Sequence, residues 1–438
     1  MLRPLAAGLL SLAVLAAILV TQSPSPTTPV ATAAESAKPR YWKGNLHTHS
    51  FWSDGDDFPD MIADWYKSHG YHFLAMTEHN VIAEGDRWVD VQEMAVPKKK
   101  SLTPAVVKKY VDRFGDTWVE RRTTSGSSQV RLKPFSEFRT KFDEAGKFLM
   151  IPAEEITATH DRRPLHMNGI NLTTAIQPVT ASSYSEALSL NLRQVAGQRT
   201  RAGRRMIGFL NHPNFGWGAT AEDMIAAENL TTFEVFNGHP GVRNYGDAEH
   251  ASTERMWDIL LAHRLAKQQL PRVLGVATDD AHAYHQWGAG KTNPGRGWVM
   301  VRAAELNSET IMQALETGDF YCSSGVVLDD VSRVDNELRL KIRTEPGVTY
   351  TTEFVATMKG AKLDGTRKLG PDGKPAPITG TYSSDIGKVV ATSTAASPSY
   401  KLTGNELYVR AKVTSSKVPE NPYAPGDTEK AWTQPITP

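Results

Sequence analysis

Between residues 41 and 303 the chain keeps repeating one arrangement, a short apolar run followed by a segment with the period of an amphipathic helix. The runs are YWKGNLHTH, HFLAMTEH, KFLMIPAEEIT, LHMNGINL, MIGFLNHP, TTFEVFNGH, RVLGVATDDAH and GWVMVRA. Between several of them lie FPDMIADWYKSHG, YSEALSLNLRQVAGQ and ASTERMWDILLAHRLAK, whose apolar residues recur at helical spacing. Alternation of this kind predicts an α/β fold built on a parallel sheet or barrel. Residues 84–134 interrupt the pattern. They are polar, contain PKKK at 97–100 and SGSS further on, and read as an excursion over the barrel mouth.

The pattern changes near residue 325. From Val326 onward ELRLKIRT, TYTTEFVATM, KVVATST and ELYVRAKVTS have period two, with turn residues between them and no helix. A small antiparallel β-sandwich is expected there, with the helix IMQALETG (311–318) closing the unit before it. A chain of 438 residues is too long for one ordinary core, in keeping with two globular units. The expected division is 1–34 as a leader, 35–325 as the catalytic barrel and 326–438 as the sandwich. Arg3 followed by LAAGLLSLAVLAAILV, a polar spacer and the small-x-small pair Ala31 and Ala33 reads as a cleaved signal peptide. That places the mature chain in the periplasm or outside the cell, with no further membrane span expected.

Lys and Arg total 49 against 48 Asp and Glu, a formal charge of +1, so no general attraction to nucleic acid is expected. PKKK alone reads as a solvated face. Cys322 is the only cysteine, which excludes an intramolecular disulfide and removes thiolate from the available metal ligands.

The ends of the apolar runs carry the chemistry. After KGNL come His47 and His49, with Asp54 beyond; after HFLAMT comes Glu78-His79-Asn80; after KFLMIP come Glu154 and Glu155. HMNGI brings His166, IGFLN ends in His212, and VLGVAT ends in Asp279-Asp280-Ala281-His282. In a parallel barrel the C-terminal strand ends converge on one face. Carboxylates and imidazoles gathered there would repel and desolvate badly unless a divalent cation supplied the countercharge. In HxH the two imidazoles point to one side of an extended strand, so both can bind one ion. With nitrogen and oxygen donors, zinc, manganese and iron all suit the site.

HxH with a following SDG, then TEHN, xEEIT, HxxG, NHP and a late DDAH, met in that order over residues 41–320, resemble the PHP domain, the polymerase and histidinol phosphatase family. The resemblance implies an irregular (β/α)7 TIM-like barrel holding three divalent ions. One ion would sit on His47, His49, Glu155 and Asp280. A second would share Glu155 and add His166 and His212, and the third would take Asp54, His79 and His282. Glu155 holds the place before the apolar residue of the family's GxEI strand, although Ala153 stands where glycine is usual. Catalytic duty falls on Glu155, Asp280 and His282, around a metal-bridged hydroxide attacking a phosphorus centre. Asn80, Asn237, His239 and Arg243 lie beside strand ends as substrate contacts, and Arg162 and Arg163 are placed to clamp a phosphate.

The export signal and the C-terminal strands also look like an extracytoplasmic branch that includes carbamate hydrolases. A small-molecule ester is the expected substrate, phosphoric first and carbamate or carboxylic as the alternative. Trp52 and Trp217 stand next to proposed ligands and could wall a pocket for a ring-bearing leaving group. A third reading is a catalytically silent envelope-binding module. It is disfavoured because every ligand position holds a competent ligand.

Overall fold

The computed structural model describes residues 38–93 and 101–438. The expected leader and the PKKK run lie outside the described residues. Residues 38–438 form one compact unit, a mixed α/β fold around a 13-stranded sheet. Its strands are β1 (Arg40–Asn45), β2 (Phe73–Met76), β6 (Leu149–His160), β7 (Arg163–Ile170), β8 (Ile207–Leu210), β9 (Thr232–Asn237), β10 (Leu274–Thr278), β11 (Trp298–Ala303) and β12 (Phe320–Ser323), with β15 (Tyr350–Met358), β16 (Lys388–Ser393), β18 (Glu406–Ser415) and β19 (Lys430–Thr433). The order is β10-β9-β8-β7-β6-β2-β1-β11-β12-β19-β18-β15-β16.

The strand–helix alternation holds only in part. β1–β2, β2–β6, β8–β9 and β9–β10 are parallel, whereas β6–β7, β7–β8 and β1–β11 are antiparallel. Two residues separate β6 from β7, and a parallel crossover needs a dozen or more, so the chain returns as a hairpin. Nor does the ladder close as a barrel, since β10 and β16 are its edges. Just past β10 and β1, a lone parallel bridge between Thr48 and Ala281 spans the gap.

The helices follow their signals. α1 (Pro59–Ser68) begins on proline, whose missing N–H costs nothing in a first turn. α4 (Tyr184–Ala202) starts where the Ser183 side chain accepts from the Glu186 N–H, and it stops at Gly203, whose φ of 63° suits a residue without Cβ. The short α5 (Ala221–Ala226) carries a capping box between Thr220 and Asp223. α6 (Thr253–His263) buries Met256, Trp257, Ile259, Leu260 and Leu261 in the main core, and α7 (Ser308–Thr317) adds Ile311, Met312 and Leu315.

The excursion at 84–134 has its own small sheet, in which β5 (Ser127–Leu132) lies between β3 (Arg87–Asp90) and β4 (Arg121–Thr124), together with α2 (Pro104–Phe114). α3 (Phe135–Phe142) follows it. The excursion grips α1 and the loop before it: Tyr110 and Trp118 donate to the buried Asp60 carboxylate, and Lys109 pairs with Asp57 at 2.9 Å.

Beyond β12 every pairing is antiparallel, and β12–β19 carries the large sheet directly into the C-terminal strands. A second sheet of β13 (Leu328–Val334), β14 (Glu337–Ile342) and β17 (Ser399–Lys401) shares a core with it. There Leu338, Leu340 and Ile342 meet Phe354, Val409, Ala411 and Val413.

Cys322 of β12 donates its thiol to the Gly275 carbonyl of β10 at 3.0 Å and is fully buried. Burial pushes the thiol well above its ordinary pKa, so the reactive thiolate is suppressed. Ellman's reagent is expected to find no thiol in the folded chain and one per chain in guanidinium. Prompt labelling under native conditions would show that the β10–β12 contact opens readily.

Candidate metal centre

The tip of β1 is held on both sides by its neighbours. His49 N–H donates to Ala281 O and Asp280 N–H to His47 O, each at 3.0 Å, and Thr77 N–H donates to Thr48 O on the β2 side. Extended backbone here turns Thr48 away, its hydroxyl 2.5 Å from Tyr284 Oη, and leaves His47 and His49 on the opposite side. The SDG that follows folds back over the strand. Gly55 donates to Ser50 O, and a Cβ on Gly55 would lie 2.3 Å from His49 O, so the tight return requires glycine. The return carries Asp54 Oδ1 to 3.3 Å from His282 Nε2, 3.5 Å from His79 Nε2 and 3.7 Å from His49 Nδ1. Glu78, fully buried, takes the backbone N–H of Ser50 and the hydroxyls of Ser50 and Ser53, and so fixes the loop without joining the cluster.

Glu155 is the centre of the arrangement. Its carboxylate lies 3.5 Å from His47, 3.4 Å from His49, 2.9 Å from His79, 3.0 Å from His166 and 3.3 Å from His212. Pleating sends Glu154 to the other face of β6, where it accepts the Ile176 N–H at 2.7 Å. The adjacent aspartates separate in the same way. Asp279 is buried against the N–H groups of Arg296 and Gly297 and the Tyr66 hydroxyl. Asp280, at φ 50°, turns its carboxylate to within 3.3 Å of His47 and 3.2 Å of His49. All nine residues expected as ligands therefore meet around one place. They supply four overlapping groupings: His49, Asp54, His79 and His282; His47, His49 and Glu155; His47, His212 and Asp280; and His79, Glu155 and His166.

The donor set fits divalent cations. Among the described residues His47 Nε2, His49 Nε2 and Glu155 Oε2, all in this cluster, are buried polar atoms without a hydrogen-bond partner. Such atoms pay for desolvation unless something binds them. The charges also lean towards a cation. Burial opposes ionisation of Glu155 and Asp280, yet the surrounding imidazoles, His47 foremost, hold both well below the ordinary carboxylate range. Burial would lower His47, but Asp280, Glu234 and Glu155 outweigh it and hold the ring well above its usual value. His49, buried between His282 and His79, is pushed down to about 3, which leaves its lone pair free.

The substrate candidates divide. His239 lines the cavity of about 250 Å³ that opens on the cluster, together with Phe215 and Thr292. Asn237 is wholly buried, does not line this cavity, and donates to Glu234 Oε2 and Asp280 Oδ2, which ties it to the cluster. Asn80, at φ 55°, spends its amide on the Thr157 backbone of β6. Arg162 sits in the exposed β6–β7 turn, and Arg163 pairs with Asp223 at 2.7 Å. Neither arginine lines the cavity, because β6 runs to His160 and carries the turn past the rim. Arg243 is exposed, with its guanidinium over the Trp217 ring, and Trp52 donates to Lys133 O inside the excursion's core.

Sequence reasoning missed Glu234. Fully buried on β9, it accepts from or faces His47 Nδ1 at 2.6 Å, the Thr278 hydroxyl at 2.7 Å and the His212 N–H at 2.7 Å. Holding Nδ1 directs His47 Nε2 into the cluster, which is how an outer carboxylate orients a metal-binding imidazole. Asn211 and Phe215 were missed as well; Asn211 donates to Glu155 Oε1 at 2.9 Å.

No family model matches the sequence, and no curated protein matches it. Among solved structures, a two-domain protein from Bacteroides vulgatus containing a predicted PHP-like metal-dependent phosphoesterase is 14% identical. That match covers 92% of this chain and 100% of the other, with a TM-score of 0.35. A proposed metal-dependent phosphoesterase from Bifidobacterium adolescentis is also 14% identical, over 58% of this chain and 91% of its own, with a TM-score of 0.28.

Proposed function

We propose that this chain is an exported metal-dependent hydrolase of the PHP type, with an irregular (β/α)7 barrel, a C-terminal sandwich and up to three divalent ions, acting on phosphoric esters. The observation that carries the proposal is the cluster itself: nine imidazoles and carboxylates in four overlapping groupings, seven of them lining one cavity, with three buried ligand atoms left without a hydrogen-bond partner among the described residues. His47, His49, Glu155 and Asp280 would hold one ion, Glu155, His166 and His212 a second, and Asp54, His79 and His282 the third. Bound there, divalent ions supply Lewis acidity and a hydroxide at neutral pH. The protein's own share is to fix the donors. Glu234 sets the His47 tautomer, Asn237 and Asn211 hold Asp280 and Glu155, and Glu78 keeps the Asp54 loop in place.

The lining also bears on substrate charge. Among the described residues that line the cavity none is Lys or Arg, so a dianionic monoester would find no side-chain cation there. A singly charged diester suits the site better. The same lining, with Phe215 as an apolar wall, favours the neutral carbamate or carboxylic ester as a second reading.

With the full chain loaded with Mn²⁺ or Zn²⁺, bis-p-nitrophenyl phosphate is expected to exceed p-nitrophenyl phosphate in kcat/KM by at least about tenfold, or about 1.4 kcal/mol in the barrier. 1-Naphthyl methylcarbamate, assayed alongside, decides the second reading. Turnover of the carbamate alone, lost on replacing His47 or Asp280, would overturn the phosphoesterase. Fewer than two tightly held metals per chain would favour the silent module instead.

A further inference from the structure

His239 belongs to the cavity but to none of the four groupings that could hold an ion. Its setting is built from three directions. Its own N–H donates to Asn237 Oδ1 at 2.8 Å, and Asn237 is fixed in turn to Asp280 and Glu234. The backbone N–H of Val242 closes on His239 O at 3.0 Å. The backbone N–H of Gly241 donates to His239 Nδ1 at 2.9 Å.

That last bond decides the tautomer. A nitrogen that accepts an N–H carries no proton of its own, so a neutral His239 ring bears its hydrogen on Nε2. The Nδ1–Cε1 edge is turned to Gly241, where a Cβ would lie 2.9 Å from Cε1 and 3.1 Å from Nδ1. With Nδ1 taken by Gly241, Nε2 is the ring nitrogen that His239, a residue of the cavity wall, has left to offer a ligand. Among the described residues the cavity wall is made by seven of the nine cluster residues together with Phe215, Thr292 and His239. The ring stands edge-on to His282, with centroids 5.7 Å apart, which places it beside the cluster without making it part of any of the four groupings.

We propose that His239 is a catalytic residue that donates Nε2–H to a non-bridging anionic oxygen of the bound ester. The inference rests on the phosphoric-ester reading and gives that reading its one preorganised side-chain donor in a cavity without arginine or lysine. A donor aimed at charge that grows in the transition state is worth more there than in the ground state. A neutral imidazole serves as such a donor without giving up its proton, so its effect follows the charge on the oxygen and not the leaving group.

The test compares full-length wild type, His239→Ala and His239→Gln, each loaded with the same metal. Gln returns an N–H near the position of Nε2. Metal content by plasma mass spectrometry is expected to be equal in all three, because His239 holds no ion. Inorganic phosphate, titrated calorimetrically, is expected to bind His239→Ala about tenfold more weakly and His239→Gln nearly as well as wild type. kcat/KM for bis-p-nitrophenyl phosphate is expected to fall about 10²-fold in His239→Ala and to recover largely in His239→Gln. Diphenyl phosphate, with its poorer leaving group, should show the same factor.

Loss of a metal equivalent in the Ala variant overturns the proposal, since His239 would then be a ligand. A deficit that grows with the basicity of the leaving group overturns it too, as does phosphate binding unchanged by Ala. If wild type hydrolyses no phosphoric ester but phosphate binding still depends on His239, the donor stands and the substrate reading falls.

Discussion

Glu155→Gln is expected to lower turnover by about 10³-fold or more and to cost the chain at least one bound metal, whereas Glu154→Gln leaves the metal content intact. The two residues are neighbours on β6, so the contrast isolates direction from position. Among the described residues Glu155 is the only carboxylate close to five imidazoles, and an amide in its place offers one neutral oxygen to groups arranged for an anion. Plasma mass spectrometry of dialysed protein, read beside the turnover of bis-p-nitrophenyl phosphate, checks both halves. Equal metal loss in the two variants would remove Glu155 from its central place.

Glu154 makes a second measurement possible. Burial pushes its carboxyl up to about 7, against an ordinary 4.5. As pH rises past 4.5 the unfolded chain ionises this group, while the folded chain keeps its proton until about 7. The group therefore favours folding below pH 4.5 and takes up to about 3 kcal/mol from stability as pH climbs through that window. Glu154→Gln cannot ionise, so its stability relative to wild type is expected to improve from pH 5 to pH 8. Parallel melting curves at the two pH values read the difference.

Most of the nine cluster residues were legible because they stand at or just past the end of an apolar run, whereas Asp54 lies in the following loop and His166 inside LHMNGINL. Glu155 was singled out over Glu154 by its place in the GxEI-like strand, and it is the pleat of β6 that turns the two to opposite faces. Other features carried no such signal. The gap between KFLMIPAEEIT and LHMNGINL is too short for a crossover helix, yet both runs read equally well as parallel strands. Their turn falls on Asp161 and Arg162, both at positive φ and neither a glycine, so nothing in the letters marked a hairpin. That hairpin is what takes Arg162 and Arg163 past the rim. Glu234 sits in the middle of TTFEVFN, buried on both sides, and its role appears only when His47 Nδ1 is placed against it. His239 was legible as a residue beside a strand end, but its tautomer comes from Gly241, a backbone contact no sequence pattern shows.

The C-terminal strands gave no chemistry to read, yet they carry the second large effect. Arg410 of β18 is fully buried and forms a two-pronged pair with Asp258 of α6, at 2.8 and 2.7 Å. The Tyr408 hydroxyl donates to the same carboxylate at 2.8 Å, the Trp257 ring lies 5.0 Å from the guanidinium, and Glu254 stands 3.6 Å away, itself paired with Lys412. Removing the cation leaves the buried Asp258 carboxylate without its charge partner, while Glu254 keeps Lys412. Arg410→Ala is expected to cost about 3–5 kcal/mol of unfolding free energy in guanidinium titrations. Replacing both charges with apolar groups of similar bulk, Arg410→Met with Asp258→Leu, should recover most of that loss, because the cost lies in the unpaired charge more than in the lost pair. α6 follows β9, whose Glu234 and Asn237 support the cluster, so the clamp lies behind the metal site and outside it. Metal content and kcat/KM per folded chain should therefore match wild type in both variants at temperatures where they remain folded. A double variant as unstable as Arg410→Ala would mean that the pair contributes through the contacts of its long side chain and not through its charge.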